Sequence, residues 1–192
     1  MIAEHILITI GAALTGNLVL VHLTGMQLVL ASSQTVSSAL RLGVTSGMVL
    51  SCSLPILYAT SNFILEPYGW TYLHLPIAVV TISLCTIGLA KWQGSGRLHF
   101  LGPQSSQALL VMSSTSVLAA PLLLLDQPLL LSQVFAYALG MSAGLVLALV
   151  LFAALMQRID AARVPGPFRG APVAFLTLGM LALAVSGLNG VV

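Results

Sequence analysis

Few side chains in this sequence have the chemistry of a catalytic or metal site. The chain of 192 residues carries four Asp or Glu, four His and two Cys. His22 is the ionisable side chain that lies well inside a long apolar stretch, where a lone imidazole usually makes a packing hydrogen bond. Cys52 and Cys85 stand in apolar runs, where a free Cys behaves as a small hydrophobe. We therefore predict no catalytic residue and no metal site formed by this chain.

Uncharged polar residues instead gather in two of the apolar stretches, the first and the fourth. Lipid-facing helices need no such groups. Gly- or Ser-interrupted segments at corresponding places in two halves of a chain are typical of broken helices that meet at the bilayer midplane. The alternative is that these residues only ease helix packing. The polar midplane candidates are Asn17, His22 and Gln27 in the first stretch and Ser113, Ser114, Thr115 and Ser116 in the fourth.

The elements that position these groups follow from the composition. Charged residues are 5 % of the chain and hydrophobic residues 58 %, with a mean hydropathy of +1.08. A soluble domain has about 25 % charged residues. The composition excludes a soluble globular domain and a disordered tail, and the absence of a basic stripe excludes a nucleic-acid partner. The chain is predicted to be an integral membrane protein in contact with lipid.

The charged residues divide the chain into six long charge-free stretches. Each has the ~20 residues that a helix needs to cross ~30 Å of hydrocarbon. The sequence thus predicts an all-α integral membrane protein with six transmembrane helices in a single domain, 1–192. Three helices per half give an inverted repeat of three plus three, with helices 1 and 4 interrupted. The approximate spans are 5–31, 42–65, 69–91, 104–125, 129–156 and 171–191.

The basic residues orient these spans. Lys and Arg are enriched in short cytoplasmic loops, and with the N-terminus outside all six fall on the inner side. Glu4, Glu66 and Asp126 then fall outside. The sequence predicts a multi-pass protein with both termini outside. The six basic residues are Arg41, Lys91, Arg97, Arg158, Arg163 and Arg169.

Two glycine pairs have the spacing of close helix contacts. Gly43 and Gly47 are four apart in the second span, and Gly140 and Gly144 are four apart in the fifth. Small residues at this spacing let two backbones approach. The spacing leaves open whether these faces pack within the chain or against a partner subunit.

The segment from Val164, VPGPFRGAPVAFLTLG, resembles the end of the Rnf/Nqr family of membrane subunits, in particular its RnfA (NqrE) type. LVLFAALMQRI resembles the fifth helix of that family, and LTGNLVLVHLTG resembles its N-terminal segment. The proline loop is the most specific part, and its matching residues are Pro165, Pro167, Phe168, Arg169 and Gly170.

The resemblance implies a role within a complex. Rnf and Nqr complexes of bacterial inner membranes couple electron transfer to sodium or proton movement and carry flavin and iron–sulfur centres. The resemblance implies partnership with other Rnf/Nqr-type subunits, especially an RnfE/NqrD-like subunit. We expect that subunit to pair through the glycine-lined helices. In the family, a Cys in helix 1 and a Cys in helix 4 of each subunit bind one [2Fe–2S] cluster at the midplane of the pair.

This chain departs from that pattern at the two cluster positions. Gln27 and Ser116 stand where the family has Cys, and neither supplies the soft thiolate that a cluster needs. Cys52 and Cys85 fall elsewhere. We therefore expect a non-catalytic subunit of a translocating oxidoreductase that by itself binds no cofactor.

Two other function classes fit the same pattern. One is a stand-alone secondary transporter or channel, whose broken helices frame a polar site near Asn17, His22 and Ser113–Ser116. Half-helix ends bind ions without a carboxylate. The other is a membrane scaffold that transports nothing.

Overall fold

The computed structural model describes residues 2–14, 16–32, 35–94, 105–125, 129–161, 165 and 169–187. The regular structure in these ranges is helical, without strands. Helix α3 continues through a π-helical turn, Ser61–Leu65, into α4, and a 3₁₀ turn, Thr71–Leu73, leads into α5. The helices are α1 Ile2–Leu14, α2 Met26–Ser32, α3 Val36–Thr60, α4 Glu66–Tyr68, α5 His74–Gly94, α6 Ser105–Met112, α7 Thr115–Leu125, α8 Leu131–Ala161 and α9 Ala171–Ser186.

Among the residues described, three helical stretches are long and apolar enough to cross a membrane. The chain is thus an all-helical multi-pass membrane protein, as its composition predicts. The count of six spans and their boundaries stay predictions, because the other three candidates are shorter helices. The long stretches are Val36–Tyr68, His74–Lys91 and Leu131–Ile159, and the shorter ones are His5–Leu14, Thr115–Leu124 and Ala171–Ser186.

The interruptions predicted in the first and fourth spans are present. Span 5–31 comprises α1 and α2, with irregular backbone over Gly16–Gly25. Span 104–125 comprises α6 and α7, with Ser113 and Ser114 between them. The polar and glycine residues that mark these places in the sequence are those at which the helices stop.

The contacts of α8 fix the relative directions of three helices. An added Cβ on Gly43 would lie 3.2 Å from the Cα of Val146, and one on Gly47 would lie 3.3 Å from the Cβ of Ser142. The residue numbers change in opposite senses, so α3 and α8 are antiparallel. Helix α1 is parallel to α8, because Thr9 and Ala13 lie against Gly140 and Gly144. These directions agree with alternating spans and with opposite orientations of the two halves.

Helices α3 and α8 form the largest interface between elements and supply the centre of the core. Leu50 and Leu54 of α3 and Phe152 of α8 are completely buried. The outer helices α5 and α9 expose large apolar side chains such as Leu84 and Met180. In a membrane, such side chains face lipid or another protein chain without cost.

Candidate functional site at the two helix breaks

The breaks in the first and fourth spans meet in the fold. The Gly25 N–H donates a hydrogen bond to Thr115 Oγ1 at 2.8 Å. A Cβ on Gly25 would overlap Ser116 Oγ, and Gly25 has a φ of +76°. Close approach and a left-handed backbone both require glycine here. Because α2 begins at Met26 and α7 at Thr115, the contact joins two half-helix N-termini, and we name it the junction.

Asn17 closes the first break with its own side chain. Its amide nitrogen donates to the carbonyls of Ala13 at 3.2 Å and Gly144 at 2.9 Å. Its amide oxygen accepts from the backbone N–H groups of Val19 at 3.1 Å and Leu20 at 3.3 Å. Asn17 is therefore occupied by the backbone and is not available to a ligand.

The second break has no such side chain. Ser114 and Ser116 are completely buried, and their hydroxyl groups have no hydrogen-bond partner among the described residues. A buried polar group left without a partner costs about 1–3 kcal/mol. The second break thus contains unused hydrogen-bonding capacity next to the junction.

The remaining polar candidates are exposed around the junction. His22 and Gln27 are exposed in the first break and at the start of α2, and Ser113 and Thr115 are exposed at the second break. We call these four residues the junction rim. Helix α1 has 13 residues before the first break, about 20 Å of helix at 1.5 Å per residue. We expect this length of apolar helix to place the rim within the ~30 Å of hydrocarbon.

The glycine pairs are used within the chain. An added Cβ on Gly140 would overlap the carbonyl oxygen of Thr9, and one on Gly144 would lie 2.6 Å from that of Ala13. Gly43 and Gly47 of α3 lie against α8, as described above, and Gly140 and Gly144 of α8 lie against α1. Helices of this chain therefore fill both glycine-lined faces. The spacing thus marks contacts within the chain, and docking of a partner on the glycine-lined helices stays a prediction.

The two cysteines lie on helices other than α2 and α7, whose ends form the junction. Cys52 of α3 is an exposed free thiol, and Cys85 of α5 is half-buried and also free. Helices α3 and α5 pack together. Among the described residues, no group of three or more His, Cys, Asp and Glu side chains converges as a metal site would.

The proline loop is described only in part. Pro165 and Arg169 are exposed, and Gly170 precedes α9 with a φ of +86° and open space around its Cα. Pro167 and Phe168 lie outside the described residues. In the first break, sequence reasoning missed the importance of Gly25. The signal in the sequence that could have indicated its role is that Gly25 stands two residues before Gln27, the first cluster position.

The [2Fe–2S] cluster that the resemblance implies does not fit the residues present. The cluster positions hold an exposed amide, Gln27, and a fully buried hydroxyl, Ser116. Iron–sulfur clusters are held by thiolates, in Rieske centres with two imidazoles replacing two of them. The junction offers neither at these two positions.

Comparison with known proteins agrees with the fold and with the resemblance. Residues 5–192 match the family described as "Rnf-Nqr subunit, membrane protein". The chain is 30 % identical over 194 residues to the A component of the ion-translocating oxidoreductase complex of Vibrio vulnificus. It is 31 % identical to the A components of the complexes named likewise in Edwardsiella ictaluri and Yersinia enterocolitica, over 191 and 192 residues. Each alignment covers 98 % of both chains. The chain belongs to the Rnf-Nqr family of membrane subunits.

Proposed function

We propose that this chain is a membrane subunit of an Rnf/Nqr-like ion-translocating electron-transport complex in a bacterial inner membrane. The observation that carries the proposal is the family match over 5–192, supported by relatives that are named as parts of such a complex and align end to end. The chain is a non-catalytic part of that complex. The flavin and iron–sulfur centres belong to other subunits.

The junction rim is the place where we expect an RnfE/NqrD-like partner to dock. Lipid offers no hydrogen bonds, so polar side chains at membrane depth must be covered by protein or by water. His22, Gln27, Ser113 and Thr115 are exposed in the isolated chain. A partner with its own polar groups at the same depth would pair with His22 and Gln27, whereas the hydroxyls of Ser113 and Thr115 already bond to Leu110 and Gly25 within the chain.

We also propose that both termini face the outside. Of the described basic residues, Lys91, Arg158 and Arg169 are exposed at or near helix ends, and Arg41 is half-buried near the start of α3. All four fall on one side when the spans alternate. The parallel pairing of α1 with α8 and the antiparallel pairing of α3 with α8 support the alternation. Reporter fusions at the two termini test the absolute direction, and a cytoplasmic signal from either terminus would contradict it.

The deciding experiment for the complex is affinity purification of the tagged chain from its native membrane in mild detergent. We expect flavin-bearing and ferredoxin-like subunits and a second six-span subunit to be recovered with it. Isolation as a lone monomer would overturn the proposal.

The docking site is tested with the double variant His22→Leu/Gln27→Leu. It should lower recovery of the second six-span subunit while leaving the thermal stability of the chain unchanged. Met180→Leu on the exposed face of α9 is the matched control and should recover the partner fully. Equal recovery with the double variant and the control would place the partner elsewhere.

A second function is favoured by one observation. Ser114 and Ser116 place two buried hydroxyl groups at the N-terminus of α7, and neither has a hydrogen-bond partner within the described ranges. A stand-alone transporter with a polar site between broken helices could use such groups. Ion uptake by the purified chain alone in proteoliposomes would support this function. A chain that is inactive alone and recovered with partners would favour the role within a complex.

A further inference from the structure

We infer that the two broken helices are joined by direct contact of Gly25 with Thr115 and Ser116, and that neither Gln27 and Ser116, at the positions that the resemblance assigns to cluster ligands, nor the two cysteines bind an iron–sulfur cluster at the junction. The inference rests on the proposed function, because only a complex of this kind places a cluster there. It goes further by assigning the electron path to other parts of the complex.

The donor atoms at the junction are the first argument. The sequence contains two cysteines, and they lie in α3 and α5, whereas the junction is built by the ends of α2 and α7. The side chains at the cluster positions, Gln27 and Ser116, offer an amide and a hydroxyl. Both are hard oxygen or nitrogen ligands, whereas the iron of a sulfide cluster is bound by soft thiolates.

The geometry is the second argument. The hydroxyl oxygen of Ser116 occupies the space that a Cβ on Gly25 would fill. Ser116 is fully buried against Gly25, while Gln27, two residues further along, is exposed. One cluster position is therefore enclosed by the chain and the other is open on its surface, and Gly25 and Ser116 touch.

The contact itself holds the two breaks together, as a bridging metal cluster would. The Gly25 N–H bond to Thr115 Oγ1 ties the start of α2 to the start of α7. The Gly25 carbonyl is used as well, because it accepts from the N–H groups of Leu28 and Val29. Gly25 is thus held from both sides, and the breaks stay together without a metal.

Iron measurements test the absence of ligands. The purified complex is compared with the variants Cys52→Ser/Cys85→Ser and Gln27→Ala/Ser116→Ala by iron content and by the EPR spectrum of the reduced sample. We expect the same iron per complex and the same spectrum for all three. Loss of a [2Fe–2S] signal in either variant, with the subunits still recovered together, would overturn the inference and leave the proposed function intact.

Stability measurements test the contact. Gly25→Ala should lower the melting temperature clearly more than Gly69→Ala does. Gly69 has a similar φ of +68° but nothing within 4 Å of an added Cβ, so it isolates the backbone strain. Adding Ser116→Gly to Gly25→Ala should restore part of the loss. Equal losses for the two glycine variants, or no restoration, would show that the breaks are not in direct contact. A Gly25→Ala chain that fails to fold while its Ser116→Gly double variant folds would also support the contact.

Discussion

The two helix breaks occupy corresponding places in the two halves of the chain, yet their polar groups are satisfied differently. The first break is long, and Asn17 pairs with four backbone groups, one of them on α8. The second break is two residues long, and the hydroxyls of Ser114 and Ser116 have no partner among the described residues. A side-chain amide reaches across a break, whereas a serine hydroxyl does not. The first break is thus tied to the backbone by its own side chain, whereas the two buried hydroxyls at the second have no such bond among the described residues.

The largest expected effect concerns the support of the first break by α8. Gly140→Val should lower the free energy of unfolding by about 3 kcal/mol, because its Cβ meets the Thr9 carbonyl and overpacking of this kind costs about 1–3 kcal/mol or more. Thermal unfolding in detergent measures the loss. Gly179→Val in α9, where nothing lies within 4 Å of an added Cβ, is the control and should change the stability by less than about 0.5 kcal/mol. A similar loss of stability in both variants would contradict a specific contribution of the α1–α8 contact.

Asn17→Leu should be the next most harmful. It leaves buried backbone groups of the first break without partners, and each such group costs about 1–3 kcal/mol, so we expect a loss of about 2–3 kcal/mol. Denaturant unfolding of the purified chain provides the measurement. Asn62→Leu, at a half-buried position in the π-helical turn, is the matched substitution and should be nearly neutral. An Asn17→Leu variant with an unchanged free energy of unfolding would contradict the proposed difference between the two breaks.

Thr115→Val probes the bond that connects the breaks. The Gly25 N–H loses its acceptor, and we expect a destabilisation of about 1 kcal/mol, read as a lower melting temperature. Thr81→Val is the control, since the Thr81 hydroxyl donates only to the Ile77 carbonyl one turn earlier in the same helix. If Thr81→Val costs as much as Thr115→Val, the bond between the breaks contributes nothing specific.

Ser114→Ala should have the smallest effect, between neutral and a gain of about 1 kcal/mol, because it removes a buried hydroxyl without a partner among the described residues. The comparison is Ser46→Ala, which removes an equally buried hydroxyl that donates to the Leu42 carbonyl at 2.6 Å. Ser46→Ala should be the more destabilising of the two in the same unfolding assay. A clear loss of stability for Ser114→Ala would mean that its hydroxyl binds a group of its own, and the contrast between the breaks would disappear.

The positions of the breaks could be predicted from the sequence, because glycine, Asn and Ser residues stand out in stretches that are otherwise apolar. The multi-pass helical fold could be predicted for a similar reason, since 10 charged residues cannot cover a water-facing surface. Both predictions rest on local composition, which a single sequence displays directly.

The partners of these residues could not be predicted. The spacing of Gly140 and Gly144 indicates a close helix contact, but it does not say that α1 of the same chain fills it. Asn17 was a candidate midplane site, and its use by the backbone depends on a carbonyl 127 residues away. The importance of Gly25 likewise depends on Ser116, which belongs to the other half. Such pairings arise from tertiary packing, and the sequence pattern specifies faces without specifying what covers them.

The hydrogen bond between Asn17 and Gly144 also bears on the order in which the chain is synthesised and packed. A ribosome adds about 5–20 residues per second, so the 127 residues between the two partners take about 6–25 s to synthesise. During that interval α1 and its break stand in the membrane without α8. Helix α1 and its break are therefore made early and complete their packing late, because the polar segment has no α8 partner until that helix is synthesised.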